Sequence, residues 1–141
     1  MQSLTKVKDW MIDLVVFIDP DKTVLDALSI MRRRYLNSLI VDKSDTNPEY
    51  GIVTSTDICD KIVAQRQNAS KIKISEIMSS PLVSVTPDQT IFECAETMSD
   101  LNIHHLPVTN EKGKVIGMIS ATDFLVVAEA IAHGDGDQLL R

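Results

Sequence analysis

The stretch GIVTSTDI (residues 51–58) returns later in the chain as GMISATDF (residues 117–124). Each copy has a glycine, two apolar residues and a hydroxyl residue, with an aspartate three places after the hydroxyl. When a chain of 141 residues uses such a pattern twice, internal duplication is the first hypothesis to consider. The stretch therefore predicts a fold built from two copies of one unit.

The duplication extends well beyond this stretch. Three further segments of the first half have counterparts in the second half, and the loop that leads to the glycine is one residue shorter in the second copy. Loops tolerate such length changes better than helices or strands do. The paired segments are VKDWM (7–11) with ISEIM (74–78), IDPDKTVLDALSIM (18–31) with VTPDQTIFECAETM (85–98), and NSLIV (37–41) with HHLPV (104–108).

Each copy predicts the element order β-α-β-β-α. The runs LVVFI (14–18) and LVSV (82–85) are typical of a short first strand that ends before a proline. A helix follows, because apolar residues recur at helical spacing behind a threonine and an acid with capping-box spacing. Two strands and a second helix, expected to begin at Thr54 and at Ser120, complete each copy. The apolar stripes of the first helices are Val24, Ala27, Leu28 and Met31, and Ile91, Cys94, Ala95, Met98 and Leu101.

The composition is ordinary for a globular protein, with 44% apolar and 24% charged residues. A net charge of −6 disfavours binding to nucleic-acid phosphates. No apolar run reaches the ~20 residues of a membrane span, and the N-terminus lacks the apolar core of a secretory signal. Cys59 and Cys94 match no disulfide or metal spacing. We therefore expect buried thiols in a cytoplasmic protein that binds neither nucleic acid nor membrane.

The duplication predicts how the chain is divided. We expect a first repeat over residues 5–67, a linker over 68–73, a second repeat over 74–133 and a tail over 134–141. A unit of about 60 residues is only marginally stable alone. The sheets of the two repeats are therefore expected to pack face to face and to share their buried surface.

The paired motifs resemble a tandem pair of cystathionine-β-synthase (CBS) domains, known as a Bateman module. The resemblance implies an α/β (α+β) fold of two repeats related by a pseudo-twofold axis, with clefts that bind AMP, ADP, ATP or S-adenosylmethionine. It also implies a dimeric regulatory module with no catalytic residues, no metal and no required cofactor. The first copy lacks the proline that the second has at Pro107, a departure that concerns the geometry of one strand pair rather than the fold.

Thr54 with Asp57, and Ser120 with Asp123, have two compatible interpretations. The hydroxyl and the acid can form a capping box at the start of a helix. A carboxylate in this place can also accept both hydroxyls of a ribose, as an acid does in dinucleotide-binding folds. The glycine of each stretch would let a flat base approach the backbone closely.

The resemblance further implies two ligand sites, each combining the helix start of one half with strand residues of the other. The second hydroxyl of each stretch can reach a phosphate or a ribose oxygen, and a methionine suits a base pocket because its thioether adapts its shape. One implied site contains Ser120, Thr122 and Asp123 with Met11, Val16, Leu36 and Asn37. The other contains Thr54, Thr56 and Asp57 with Met78, Val83, Ile103 and His104.

The sequence leaves the roles of two clusters of basic residues open. Arg32, Arg33 and Arg34 can serve a phosphate, or they can form a solvated helix end where cations complement the helix dipole. His104 and His105 are adjacent, so on a strand they face opposite sides and make a poor metal site. No catalytic triad or phosphate-binding loop is present in the sequence to indicate an enzyme.

We therefore expect a stand-alone sensor that binds an adenine nucleotide, forms a homodimer and passes its bound state to a protein partner. The alternatives are a ligand-free dimerisation scaffold, a nucleotide hydrolase and a nucleic-acid binder. Selective nucleotide binding, nucleotide turnover and salt-dependent nucleic-acid binding distinguish these classes.

Overall fold

The computed structural model describes residues 5–133, and the chain divides into two compact units. One unit is Val16–Leu82, which we call the Asp57 unit. The other combines residues 5–15 with residues 83–133 of the described chain, and we call it the Asp123 unit. The predicted tail, residues 134–141, lies outside the described residues.

The helices and strands follow the predicted order, except that the second repeat forms no strand at the predicted run 82–85. The first repeat ends in a π-helix, Ile58–Val63, and short 3-10 helices follow at Ala69–Lys71 and Ile74–Glu76. In chain order the other elements are α1 (Val7–Trp10), β1 (Phe17–Ile18), α2 (Val24–Arg33), β2 (Ser38–Val41), β3 (Gly51–Thr54), α3 (Ser55–Asp57), α4 (Ile91–Leu101), β4 (His105–Thr109), β5 (Val115–Ser120) and α5 (Asp123–Ala132).

Each unit is built around an antiparallel strand pair. β2 pairs with β3, with Leu39 opposite Val53, and β4 pairs with β5 in the same way. In the Asp57 unit, β1 adds a parallel strand beside β2. In the Asp123 unit, the corresponding run forms a single parallel bridge between Val85 and Val108. The predicted mixed α/β fold is confirmed, with the first strand of the second repeat reduced to this bridge.

The first long helix of each repeat begins at the predicted capping box. Thr23 Oγ1 accepts a hydrogen bond from the Asp26 N–H (3.2 Å), and the Asp26 carboxylate accepts one from the Thr23 N–H (3.0 Å). Thr90 and Glu93 repeat this arrangement at α4. Both helices turn their apolar stripe inward, although Leu101 at the end of α4 is exposed. The buried members are Val24, Ala27 and Met31 on α2, and Ile91, Cys94 and Met98 on α4.

The segment at the start of each predicted repeat packs against the other repeat. Residues 5–12 lie on the second repeat, and residues 72–79 lie on the first. The predicted boundaries, 5–67 and 74–133, follow the duplication in the sequence, whereas the compact units follow this packing. Equivalent pairs joined by backbone hydrogen bonds are Val7–Gln89 and Ile74–Lys22, and Ile12–Met118 and Ser79–Ile52.

The second helix differs between the repeats. In the first repeat, α3 continues into the π-helix, where the Ala64 N–H donates to the Cys59 carbonyl five residues earlier (2.9 Å). In the second repeat, α5 is a regular helix that begins at Asp123 rather than at the predicted Ser120, because a turn separates it from β5. Wide π-turns are uncommon and often mark functional positions.

Each unit also has its own buried cluster. Ile74 and Ile77 join residues of α2, β2, β3 and the π-helix in the Asp57 unit. Val7 joins residues of α4, β4 and β5 in the Asp123 unit. Cys94 belongs to this second cluster, and burial raises the pKa of its thiol to about 11. Cys59 is exposed, so the prediction that both thiols are buried is wrong for Cys59, which faces solvent from the π-helix.

Candidate functional site

Asp57 lies where β3 leads into α3. Its Oδ2 atom accepts hydrogen bonds from the Thr54 N–H (2.9 Å) and from the Thr54 hydroxyl (3.2 Å). In return, the Asp57 N–H donates to Thr54 Oγ1 (3.3 Å). The predicted capping box is therefore complete in this copy, and it satisfies donors at the helix start that would otherwise lack a partner.

The other oxygen of Asp57 is held by a cation. Lys61 Nζ lies 3.0 Å from Asp57 Oδ1, and the same ammonium group donates to the Ile77 carbonyl (2.7 Å). The Asp57 side chain is 12% exposed and the Lys61 side chain is 43% exposed. Both oxygens of this carboxylate thus have partners from within the protein.

Asp123 lies at the matching place, between β5 and α5. Its Oδ2 atom accepts hydrogen bonds from the Ser120 N–H (2.7 Å) and from the Ser120 hydroxyl (3.1 Å). Ser120 Oγ also lies 2.9 Å from Thr122 Oγ1, so the two hydroxyls share a hydrogen bond. Among residues 5–133, none forms a hydrogen bond or an ion pair with Asp123 Oδ1. This carboxylate is oriented through one oxygen, and within residues 5–133 the other oxygen has no partner.

The strand beside Asp123 carries a histidine that the predicted site did not include. His105 pairs with Ser120 across β4 and β5, whereas the predicted His104 is exposed. Burial lowers the pKa of His105, the neighbouring His104 lowers it further, and the charge of Asp123 opposes both effects. Burial thus favours the neutral form of the His105 ring.

The glycine of each stretch makes room for a methionine and a passing backbone. A Cβ atom on Gly51 would lie 2.8 Å from Met78 Sδ and 3.1 Å from the Ser79 carbonyl oxygen. Met11 and the carbonyl that follows it stand at the same two distances beside Gly117. The glycines thus have a packing role that the expected approach of a ligand base did not foresee. Met11 and Met78 do lie next to the stretches with which they were predicted to act.

The other predicted ligand residues divide between the units. Thr56 and Thr122 are exposed in the same turns as Asp57 and Asp123. Each remaining residue was predicted to act with the acid of the other unit, and those roles stay predictions. Val16, Leu36 and Asn37 belong to the Asp57 unit, and Val83, Ile103 and His104 belong to the Asp123 unit.

Within the Asp57 unit, Leu36 and Asn37 line an open depression of about 630 Å³. Arg32, Arg33 and Tyr35 line the same depression. Two residues predicted to surround a base therefore share a surface with two of the arginines considered for a phosphate. All of them remain exposed or half-buried, so a solvated helix end is still compatible with the arginines.

Lys61 is the residue at these acids that sequence reasoning missed most clearly. A local signal was present, because an acid and a lysine four residues apart on a helix are neighbours. Its second contact, with the Ile77 carbonyl, depends on the packing of residues 72–79 onto the first repeat. No local pattern encodes that contact.

The described residues, 5–133, were also compared with the requirements of a membrane-spanning helix and of a metal site. In that range, no helix is both long enough and apolar enough to cross a membrane. In the same range, no group of three or more histidine, cysteine, aspartate or glutamate side chains is arranged to hold a metal ion.

Comparison with known proteins identifies the duplicated unit. The family model described as "CBS domain" matches this chain twice, over residues 7–64 and 74–129. The mitochondrial CBS domain-containing protein CBSX3 of Arabidopsis thaliana is 33% identical over 124 residues, which cover 86% of this chain and 58% of that protein. The chain spans an even smaller share of three other curated relatives at 30% identity or more.

Two solved structures share the fold over most of the chain. The hexameric CBS-CP12 protein from bloom-forming cyanobacteria is 31% identical, with a TM-score of 0.83 over 90% of this chain and 73% of its own. The CBS domain pair of protein MJ0100, in complex with 5′-methylthioadenosine and S-adenosyl-L-methionine, is 26% identical. Its TM-score is 0.78, over 91% of this chain and 98% of its own.

Proposed function

The chain belongs to the CBS-domain family, and we propose that it is a regulatory module that binds an adenine nucleotide or a related adenosine compound. Asp123 carries this proposal: two bonds from Ser120 fix one carboxylate oxygen, and the other oxygen is unengaged among the described residues. A group that is already oriented loses little freedom on binding. A ribose offers two adjacent hydroxyl donors, which a carboxylate in such a position can accept.

The complex of the related MJ0100 pair supports the same chemistry. Its two ligands, 5′-methylthioadenosine and S-adenosyl-L-methionine, share an adenine and a ribose with both hydroxyls. They share these groups with AMP, ADP and ATP as well. We therefore take the adenosine moiety as the part that is recognised, and the group on the 5′ carbon as the part that varies.

Regulation follows if the ligand binds one arrangement of the chain more tightly than another, because the difference in affinity shifts the population. The proposal includes a homodimer and a protein partner that reads the bound state. It includes no turnover of the ligand and no cofactor beyond it. It also places the protein in the cytoplasm, although the Arabidopsis relative is described as mitochondrial.

The test begins with mass spectrometry of any small molecule that co-purifies. Calorimetric titrations with AMP, ADP, ATP, S-adenosylmethionine and 5′-methylthioadenosine then rank the ligands. The matched control is 2′-deoxy-AMP, which lacks one ribose hydroxyl. We expect it to bind roughly tenfold or more weakly than AMP, because one hydrogen bond to a charged acceptor is lost. Equal affinity of the two nucleotides would contradict the ribose assignment, and no binding of any adenosine compound would contradict the function.

A second candidate is a ligand-free dimerisation scaffold, and the exposed apolar residues of α5 favour it. The Leu125 side chain is 70% exposed and Val126 is 59% exposed. Adjacent exposed apolar side chains are typical of a surface that binds a protein. Light scattering combined with the calorimetric titrations distinguishes the candidates: a scaffold forms a dimer but binds none of the adenosine compounds.

A further inference from the structure

We propose that Lys61 closes the Asp57 copy of the duplicated acid, so that Asp123 alone is available to a ribose unless Lys61 is displaced. This inference rests on the proposed function, because it assigns the adenosine ligand to one of two acids. It makes Lys61 a specificity-determining residue. The repeated motif alone does not distinguish the two copies.

The first step concerns the oxygens of Asp57. Oδ2 accepts two hydrogen bonds from Thr54, as Oδ2 of Asp123 does from Ser120. The difference lies at Oδ1, where Lys61 Nζ stands at 3.0 Å. A ribose that used Asp57 would have to share or replace this ammonium group. The ligand would thereby lose the electrostatic advantage of an unpaired carboxylate.

The second step concerns what holds Lys61 in place. Its ammonium group also donates to the Ile77 carbonyl at 2.7 Å, so it joins the acid to the segment that packs beside it. Moving Lys61 breaks both interactions at once. Because the Asp57 side chain is only 12% exposed, water compensates poorly for the lost partner. The lysine therefore holds the acid more firmly than a fully exposed ion pair would.

The third step explains why the second repeat has no such lysine. The residue four places after Asp57 is Lys61, and the residue four places after Asp123 is Val127. Val127 is 4% exposed and belongs to the core side of α5. In the first repeat the π-helix instead buries Ile62, which leaves Lys61 at the edge of the helix. Among the described residues, a lysine thus contacts the acid of the first repeat, whereas a buried valine takes the equivalent place in the second.

The experiment isolates the Asp57 copy by removing the other acid. In the Asp123→Ala background, Lys61→Met removes the ammonium group while keeping a long, flexible side chain. Lys71→Met is the matched control, since Lys71 is an exposed lysine of the same unit and its loss changes the net charge equally. AMP and the uncharged 5′-methylthioadenosine are both titrated, so that a change in phosphate attraction is separated from a change at the ribose.

We expect Asp123→Ala/Lys61→Met to bind 5′-methylthioadenosine roughly tenfold more tightly than Asp123→Ala alone, as expected for an uncovered charged acceptor. Asp123→Ala/Lys71→Met matches Asp123→Ala, and adding Asp57→Ala to the first combination removes the gain. Circular dichroism verifies that each variant is folded. If Lys61→Met brings no gain while the parent binds adenosine compounds, this inference falls and the proposed function stands. If neither the parent nor any variant binds them, both fall.

Discussion

The Asp57 and Asp123 units present the same acid at the same turn but surround it differently. In both units, the side-chain hydroxyl and the backbone N–H of one residue donate hydrogen bonds to Oδ2 of the acid. In the Asp57 unit, Lys61 lies against Oδ1 and also donates to the Ile77 carbonyl. In the Asp123 unit, a half-buried histidine is the nearby titratable group, and its pKa is lowered mainly by burial. The duplicated motif therefore specifies a shared turn, whereas residues outside the motif determine which acid can meet a ligand.

Two equivalent core leucines test whether both units lose a similar amount of stability when a cavity is created. Leu39 is 1% exposed and Leu106 is 0% exposed, and they occupy the same position in the two repeats. Each Leu→Ala change is expected to lower the free energy of unfolding by about 2–5 kcal/mol, because it leaves a cavity. Urea denaturation at one fixed protein concentration measures both losses. A loss below about 1 kcal/mol at one leucine would show that its unit can collapse around the cavity.

Substitution of the two glycines is expected to have a smaller effect on stability, and its sign shows whether the packing beside them is close. An added Cβ would meet a methionine sulfur and a backbone oxygen in each unit, so Gly51→Ala and Gly117→Ala should each destabilise by about 1–3 kcal/mol. A Gly→Ala change without a clash usually stabilises a protein instead. Thermal unfolding of both variants decides between these outcomes. A stabilised Gly117→Ala variant would contradict the close packing of Met11.

The smallest expected effect is a pH dependence confined to the Asp123 unit. His105 faces Ser120 across the strands, whereas Ser38 faces Thr54 at the equivalent place in the Asp57 unit. Folding lowers the pKa of His105 from its ordinary value of 6.5. The unfolded chain therefore takes up the proton more readily. The neutral His105 ring therefore contributes its full stability above pH 6.5, the ordinary pKa of histidine. This stability is lost as the pH falls below 6.5 toward the lower pKa of the folded protein.

His105→Gln should remove this part of the acid sensitivity. The free energies of unfolding of the parent and the variant are compared by urea denaturation at about pH 7.5 and about pH 5.5. Replacement of the exposed His133 is the control. If the free energy of unfolding changes between the two pH values by the same amount in His105→Gln as in the parent, then His105 does not respond to its burial or to the charges of His104 and Asp123.

The fold could be predicted from local patterns because the main determinants are local. The stripe from Val24 to Met31 and the Thr23–Asp26 box specify α2 without reference to any distant residue. The packing of residues 72–79 could not be predicted in this way, because periodicity indicates that a face is buried but not against what. The role of Gly51 follows from that packing and was missed for the same reason.

The candidate site, like the fold, could be predicted where its determinants are local in the sequence. The acids and their hydroxyl partners were found because a capping box lies within four residues of sequence. The π-helix Ile58–Val63, which buries Ile62, was not expected. The contact of Lys61 with Asp57 was missed although the two residues have the four-residue spacing of helix neighbours. His105 was left out because two adjacent histidines face opposite sides of a strand, and the sequence alone does not say which side faces the acid.

One titration tests the central claim of unequal acids most directly. AMP is titrated into the parent, into Asp57→Ala and into Asp123→Ala, each verified as folded at the working temperature. The account predicts that Asp123→Ala weakens AMP binding roughly 10- to 150-fold, while Asp57→Ala leaves the Kd within about threefold of the parent value. A loss in Asp57→Ala equal to or larger than the loss in Asp123→Ala would contradict it.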